Sequence, residues 1–520
     1  MQFHLNGYNP GDPRIVDPID RVIPPPLKRP LPAHCDVMIV GCGPAGLNLA
    51  AQLSQFSDIH TVITDLKDDR LTVGQADGMA CRTLEMFQAY GFADQVIQEA
   101  YGVNEVAFWR PDPDDPSRIA RNSKIDDVAE DLSEMPHVII NQARIHDHFL
   151  SVMKNSATKT EPYYSRKLID VVIDHSDTDY PVTLTFERAI THSQFNREVE
   201  TVKCKYAVGC DGARSQVRKS IGHELIGDAL NQAWGVMDIL AVTDFPDIRL
   251  KAAIQSINEG NLLIIPREGG FMVRMYIELD KLKQDERVDR EWSKMFSTKP
   301  KTKDNPDGVD PAEFQKYFEL FARFTAGVGI QYQSSVIVGE GTYQHLAAGQ
   351  PIGQRFHSAP VIRHGDAKPV QLGHCHTANG AWRVYAFAGS DDPSSESCRV
   401  RKLAGFLASD PDSPVVKYTP DGADIDSVID FRVVYQTPHR GLERTVVHPF
   451  LTPTKGRLGL KDYEKIFCVN DYKNIYEMRG IDKIDGCIVV VRPDQYVATV
   501  LPLTGQKELT TFFSRCLTVA

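Results

Sequence analysis

The segment Gly41-Cys42-Gly43-Pro44-Ala45-Gly46 constrains this chain more than any other. It leaves a short apolar run, Val37-Met38-Ile39-Val40, of the kind a buried parallel strand has. It opens a stretch, Leu47 to Leu53, that reads as a helix. Thr61-Val62-Ile63-Thr64 then reads as a second strand, and Asp65 ends it 19 residues after Gly46. In this context each glycine has a reason: Gly41 for a tight turn, Gly43 for approach of a pyrophosphate, Gly46 for close helix–strand packing. The helix N-terminus offers free N–H groups and the positive end of its dipole. Asp65 would accept hydrogen bonds from a ribose. The competing reading is a tight glycine turn in some other α/β protein. The motif by itself does not separate NAD from FAD.

At 520 residues the chain holds about three domains at ~150 residues each. Residues 1–34 carry eight prolines and read as an extended arm. Residues 82–98 have the pattern of one amphipathic helix, with Leu84, Phe87 and Phe92 on its apolar face. The Pro-Asp repeats at 111–116 make a loop, and residues 168–210 and 234–279 alternate like strands. A charged stretch from Asp280 to Lys303, then Pro306-Asp307-Gly308, marks a boundary. Beyond it strands (Arg383 to Phe387, Val428 to Tyr435, Cys487 to Val491) mix with helices (Arg399 to Leu407, Lys507 to Cys516).

Composition narrows the function classes. A net charge of −11 argues against a phosphate-backbone partner, so no nucleic acid is expected. No apolar run approaches the ~18 residues of a membrane span, and no signal peptide is read at Met1 to Gly7. Ten scattered cysteines without a CxxC pair read as reduced thiols of a cytoplasmic protein, not a metal site. His374-Cys375-His376 lacks a second ligand pair and reads as a strand edge.

A second motif is Tyr206-Ala207-Val208-Gly209-Cys210-Asp211-Gly212-Ala213-Arg214-Ser215: a strand, an Asp-Gly turn, and Ser215 as N-cap of a short helix. It resembles the Asp-Gly motif of the single-component FAD-dependent aromatic hydroxylases. Within them the chain is similar to the phenol 2-monooxygenase and 3-hydroxybenzoate 4-monooxygenase branch. Gly74-Gln75-Ala76-Asp77-Gly78, Arg82-Thr83-Leu84-Glu85, Asn141-Gln142-Ala143-Arg144, Trp234 to Asp238 and Ile265-Pro266-Arg267-Glu268 follow in family order over roughly residues 1–290. Val490 to Val497 resembles the branch's thioredoxin-like C-terminal domain.

The resemblance implies an α/β fold. A Rossmann-like FAD domain (35–165 and 203–230) would carry an inserted β-rich substrate domain (166–202 and 231–285), a helical linker (286–328) and a thioredoxin-like domain (329–520). It implies a homodimer that uses NADPH to reduce FAD and hydroxylates a phenol with O₂ through a flavin C4a-hydroperoxide. Gly41, Gly43, Gly46 and Asp65 would hold the ADP half of FAD, Arg82 the pyrophosphate and Gln142 the flavin side, and Asp211 lies where the family contacts FAD and influences NADPH. Asp77 and Tyr276 would face the substrate hydroxyl, and Arg267 would orient flavin or substrate. Lys251 and His137 match basic positions that meet a substrate carboxylate, which favours a hydroxybenzoate over phenol. Plainer roles compete: a turn residue for Asp77, a helical pair with Glu85 for Arg82, packing for Tyr276, surface positions for Lys251 and His137.

One family motif is missing. A Gly-Asp followed by a helix is expected between the substrate sheet and a helix like Asp289 to Phe296, yet Glu278 to Leu282 runs almost directly into that helix. Gly227-Asp228 and Gly365-Asp366 are out of family order. The shortfall, near 283–289, reads as an internal deletion that leaves the FAD domain incomplete. It keeps open an alternative: a flavin-free pseudoenzyme or truncated isoform acting through its C-terminal dimerisation module.

Overall fold

In a computed structural model the described residues are 3–4, 7–8, 29–72, 74, 76–188, 198–227, 234–256, 260–279 and 322–519. The expected break at 283–289, the helix after it and most of 286–328 lie outside them.

Strand β1 (His34–Val40) feeds the glycine loop and helix α1 (Pro44–Leu53), and β2 (Thr61–Thr64) returns parallel to β1. The apolar run that announces β1 is buried on both faces, with Met38 and Ile39 fully enclosed. After β3 (Gly78–Met79), the single helix expected over 82–98 is instead two, α2 (Cys81–Tyr90) and α3 (Ala93–Glu99). Gly91 breaks it: its left-handed backbone (φ +80°) caps α2, and its N–H donates to carbonyls of the last turn, Gln88 and Phe87.

Next come β4 (Tyr101–Val103), β5 (Glu105–Pro111), β6 (Ile119–Asp126), β7 (His137–Ile139) and α4 (Gln142–Asn155). They are followed by β8 (Arg166–Ile173), β9 (Val182–Arg188), β10 (Glu198–Gly209) and α5 (Gln216–Ser220). Strands β11 (Trp234–Leu240), β12 (Lys251–Gln255), β13 (Asn261–Pro266) and β14 (Met272–Glu278) complete this half.

Three sheets result. One is five-stranded in the order β8-β9-β10-β1-β2, one small in the order β3-β7-β4, and one six-stranded in the order β11-β14-β13-β12-β5-β6. The grouping differs from the expected boundaries. The strands at 166–188 and 198–202, assigned above to the substrate sheet, lie in the β1–β2 sheet, because β10 runs on past its hairpin partner and pairs parallel with β1 through Gly209. Conversely, β5 and β6, assigned above to the FAD domain, extend the six-stranded sheet through parallel pairing of β5 with β12.

The C-terminal region holds one seven-stranded sheet. Its strands are β15 (Pro360–Arg363), β16 (Lys368–Gln371), β17 (Trp382–Phe387), β18 (Ile429–Tyr435), β19 (Ile466–Val469), β20 (Cys487–Val491) and β21 (Val497–Leu501). Their order is β16-β15-β19-β18-β17-β20-β21. Both faces are buried: Val384 and Ala386 point into one core, Tyr385 and Phe387 into the other. Helices α6 (Arg399–Ser409), α7 (Pro414–Tyr418) and α8 (Gln506–Cys516) cover the first. His374-Cys375-His376 is not a strand edge: Leu372–Cys375 is a short 3₁₀ turn, with His374 beside Glu134 and His376 buried against Phe356 and Tyr385. Asp366 sits at the β15–β16 turn on Arg363. Arg355, 1% exposed, joins the two halves by reaching Glu85 at 3.2 Å and the Leu132 carbonyl.

Candidate active site

The glycine loop is built as its spacing predicts. Gly41 has φ +107°, and a Cβ there would lie 2.3 Å from the Cys210 carbonyl oxygen. A Cβ on Gly46 would lie 1.9 Å from the Gly41 oxygen, so α1 can pack this close only without one. At Gly43 the same direction is open, with nothing within 4 Å. No side chain caps α1, so the N–H groups of its first turn have no side-chain partner at the cap. Asp65 accepts from the Cys42 N–H at 2.6 Å and the Lys67 N–H at 2.8 Å, which fixes the loop to the end of β2. A cleft of about 190 Å³ follows, lined by Gly43, Asp65, Lys67, Gln142 and Tyr164 among others. Gln142 enters it from the first turn of α4, which Asn141 caps, and packs so tightly on Gly74 that a Cβ there would be 2.3 Å from its own.

Two sequence-predicted residues take other partners. Both oxygens of Asp211 cap α5, accepting from Ser215 Oγ and the Gln216 and Val217 N–H groups. This braces the turn beside Gly41. Arg82 pairs with Glu85 one helical turn on at 3.3 Å. Across the join to the C-terminal region, it donates to the Asp494 carbonyl at 2.7 Å and to Gln495.

Asp77, Arg267 and Tyr276 come together. Arg267 is 2% exposed and lies 3.2 Å from the Asp77 carboxylate. Arg274 lies 2.8 Å from the same oxygen and donates twice to Asp238. Arg274 and Tyr276 share a face of β14 because they are two residues apart, and Asp238 is directly opposite Arg274 on β11. Burial raises the Asp77 pKa above the ordinary aspartate range, more than Arg274 and Arg267 lower it.

Lys251 and His137 also converge, on a carboxylate of the chain itself. Asp127 receives Lys251 Nζ at 2.8 Å and lies 2.6 Å from His137 Nδ1. Burial works against its charge, but the His137 and Lys251 contacts outweigh burial and hold its pKa below the usual range. A buried apolar cluster of Val103, Ile139 and Ile265, with Tyr101, Leu263 and Tyr276 packed on it, adjoins both polar groups: Ile265 pairs with Arg274, and Val103 with His137. Ile139 follows His137 on the same face of β7, and pairs with Gly78, the neighbour of Asp77.

Comparison with known proteins places this geometry. Residues 34–323 match the FAD binding domain family, and residues 330–520 match the C-terminal dimerisation domain of phenol hydroxylase. The chain is 43% identical to the 3-hydroxybenzoate 4-monooxygenase of Comamonas testosteroni, over 99% of both chains. It belongs to the FAD-dependent aromatic hydroxylases. A phenol 2-monooxygenase of Aspergillus fumigatus is 25% identical over 92% of this chain and 96% of its own. In fold the hydroxylase resembles the flavin-dependent monooxygenase PieE, solved with FAD and substrate (TM-score 0.61, 13% identity, 93% and 98% covered).

The alignment to the Comamonas relative is 640 positions long, 120 more than this hydroxylase has residues. Since both chains are covered almost end to end, those positions are internal. The residues present fit the ADP half of FAD: an open Gly43, an uncapped helix start and an acid at the end of β2. Arg274 and Asp127 escaped the sequence reading, and Asp238 entered it only as the end of a motif, with no role. Arg274 had a signal, the two-residue spacing from Tyr276. Asp127 had none, because its partners lie 10 and 124 residues away. No helix among the described residues is long and apolar enough to cross a membrane, and all ten cysteines are free.

Proposed function

We propose that this chain is an FAD-dependent, NADPH-using monooxygenase that hydroxylates a phenolic aromatic of the 3-hydroxybenzoate type. The observation that carries it is that an Asp77–Arg267–Arg274 cluster, with Tyr276 beside it on β14, and an Asp127–Lys251–His137 cluster both adjoin one apolar cluster. A flat ring suits the apolar cluster, a phenolic hydroxyl suits the first polar group, and a carboxylate suits the second.

Bound FAD would supply reduction by NADPH and activation of O₂. Gly41, Gly43, Gly46 and Asp65 would hold its ADP half, with Arg82, Gln142 and Asp211 as further contacts. The chain's own task is to hold the ring and manage one proton. Attack on the ring needs an electron-rich phenolate, so the hydroxyl proton must leave. Asp77, with its raised pKa, is the acceptor. Tyr276 would hydrogen-bond the phenolate oxygen, and Arg267 and Arg274 would steady the charge. At the far end a substrate carboxylate would meet Lys251 and His137, in competition with Asp127.

The C-terminal sheet supports a thioredoxin-like reading. Strands β18-β17-β20-β21 are neighbours in that order, with β17 and β18 parallel, β20 and β21 antiparallel, and α8 last. As a match to a dimerisation family it favours a homodimer, and ten free cysteines suit a reducing, cytoplasmic setting.

The test is to express the chain and look for flavin absorbance after gel filtration, then for NADPH oxidation with product formed. Bound flavin, and stimulation by 3-hydroxybenzoate above phenol, are expected. A colourless soluble protein would overturn the proposal. It would favour a flavin-free chain acting through its C-terminal module, which the 120-position shortfall alone supports.

A further inference from the structure

We propose that His146 is a hydrogen-bonding contact for the adenosine diphosphate portion of the cofactor, an assignment that rests on the dinucleotide reading of the glycine loop. His146 stands four residues after Gln142 on α4, so the two share a helix face and both line the cleft beside Gly43 and Asp65. The imidazole is 4% exposed, and its Nε2 has no hydrogen-bond partner among the described residues. Leaving such an atom unpaired costs about 1–3 kcal/mol, so its retention calls for a cause.

The contrast with His148 is informative. Its Nε2 is also unpartnered, but that ring stacks on Phe92 at 5.1 Å, lies 3.8 Å from Glu99 and does not line the cleft. Packing accounts for His148 and leaves His146 unexplained. Burial, reinforced by Lys67 and opposed by Asp65 and Asp147, lowers the His146 pKa. The neutral ring carries one donor and one acceptor, a match for a ribose hydroxyl or an adenine edge. Phosphate is left to Gly43, the α1 N-terminus, and the Lys67 and Arg70 cations of the same cleft.

The test titrates flavin-free protein with ADP by calorimetry, wild type beside His146→Leu and His146→Gln. Wild type should bind ADP, and His146→Leu should bind it about five- to tenfold more weakly, the loss of one hydrogen bond. Its melting temperature without nucleotide should hold or rise, since an apolar group replaces an unpaired polar one. His146→Gln should recover part of the affinity. Affinity of His146→Leu within twofold of wild type overturns the assignment while leaving the dinucleotide reading intact. Wild type that binds no ADP overturns both. If His146→Leu does not fold, ¹⁵N-histidine spectra of the wild type decide. ADP must shift the His146 ring nitrogens, and an unmoved signal overturns the assignment.

Discussion

Replacing Asp77 by asparagine separates the chemistry of the carboxylate from its part in the fold. The side chain is 7% exposed, with ion pairs to Arg267 at 3.2 Å and Arg274 at 2.8 Å. Removing one member of a buried pair costs about 3–5 kcal/mol when the other charge is left alone. Here neither arginine is left alone. Arg274 keeps two bonds to Asp238, at 2.7 and 2.8 Å, and Arg267 keeps Glu268 at 2.8 and 3.0 Å. The charge on Asp77 is itself disfavoured, because burial raises its pKa beyond what the arginines recover. A raised folded pKa means the native state binds more proton, so stability falls as pH climbs through the window just above the ordinary aspartate value. Asparagine removes that slope. Asp77→Asn should therefore change stability at pH 7 by less than about 1 kcal/mol, a Tm shift under about 4 °C. Hydroxylation should fall by about 10²–10⁴, the usual contribution of a positioned base, with flavin retained. Scanning calorimetry at pH 4.5 and 7, flavin absorbance and product analysis read these out. A Tm drop above about 8 °C with loss of flavin would make Asp77 a structural anchor. Retained hydroxylation would remove it from the mechanism.

Two further substitution sets follow from the geometry. Gly46→Ala puts a methyl where only 1.9 Å separates it from the Gly41 oxygen, so nucleotide binding or folding of this half should be lost. Gly43→Ala has open space, so it should melt like wild type but bind ADP at least about tenfold more weakly. Undiminished ADP affinity would show that no phosphate approaches Gly43. Asp127→Asn removes the carboxylate on which Lys251 and His137 converge and should lower Tm. Added 3-hydroxybenzoate should recover Tm more than phenol does, and equal recovery would sink the carboxylate assignment.

Legibility in the sequence tracked the range of the interaction. The glycine loop, the helix after it and the strand that Asp65 ends depend on spacings of a few to some twenty residues, and the chain folds there as read. Gly91 shows the limit of periodicity: the apolar pattern runs through it, but one left-handed residue ends the helix. The split between sheets failed for another reason. Alternation tells that β8 to β10 are strands but not which sheet they join. That depends on β10 being long enough to reach β1, 169 residues earlier. Asp127 is the same case among side chains. A lone aspartate in a loop gives no hint that Lys251 and His137 will close on it.

Physically the two halves of FAD should report separately on the internal shortfall. The adenosine end is served by β1, α1, β2 and α4, all intact. The ribityl and ring end would also draw on the Gly-Asp segment, which the sequence lacks in family order. ADP affinity therefore measures the first half alone, and the excess of FAD over ADP measures everything else. If Arg267 and Gln142 suffice to seat the ring, FAD should bind at least about a hundredfold more tightly than ADP, roughly 2.7 kcal/mol. Parallel titrations of flavin-free protein give the ratio directly. A ratio near one would mean that the ring makes no net contact, and that the nucleotide cleft has outlived the hydroxylase chemistry it served.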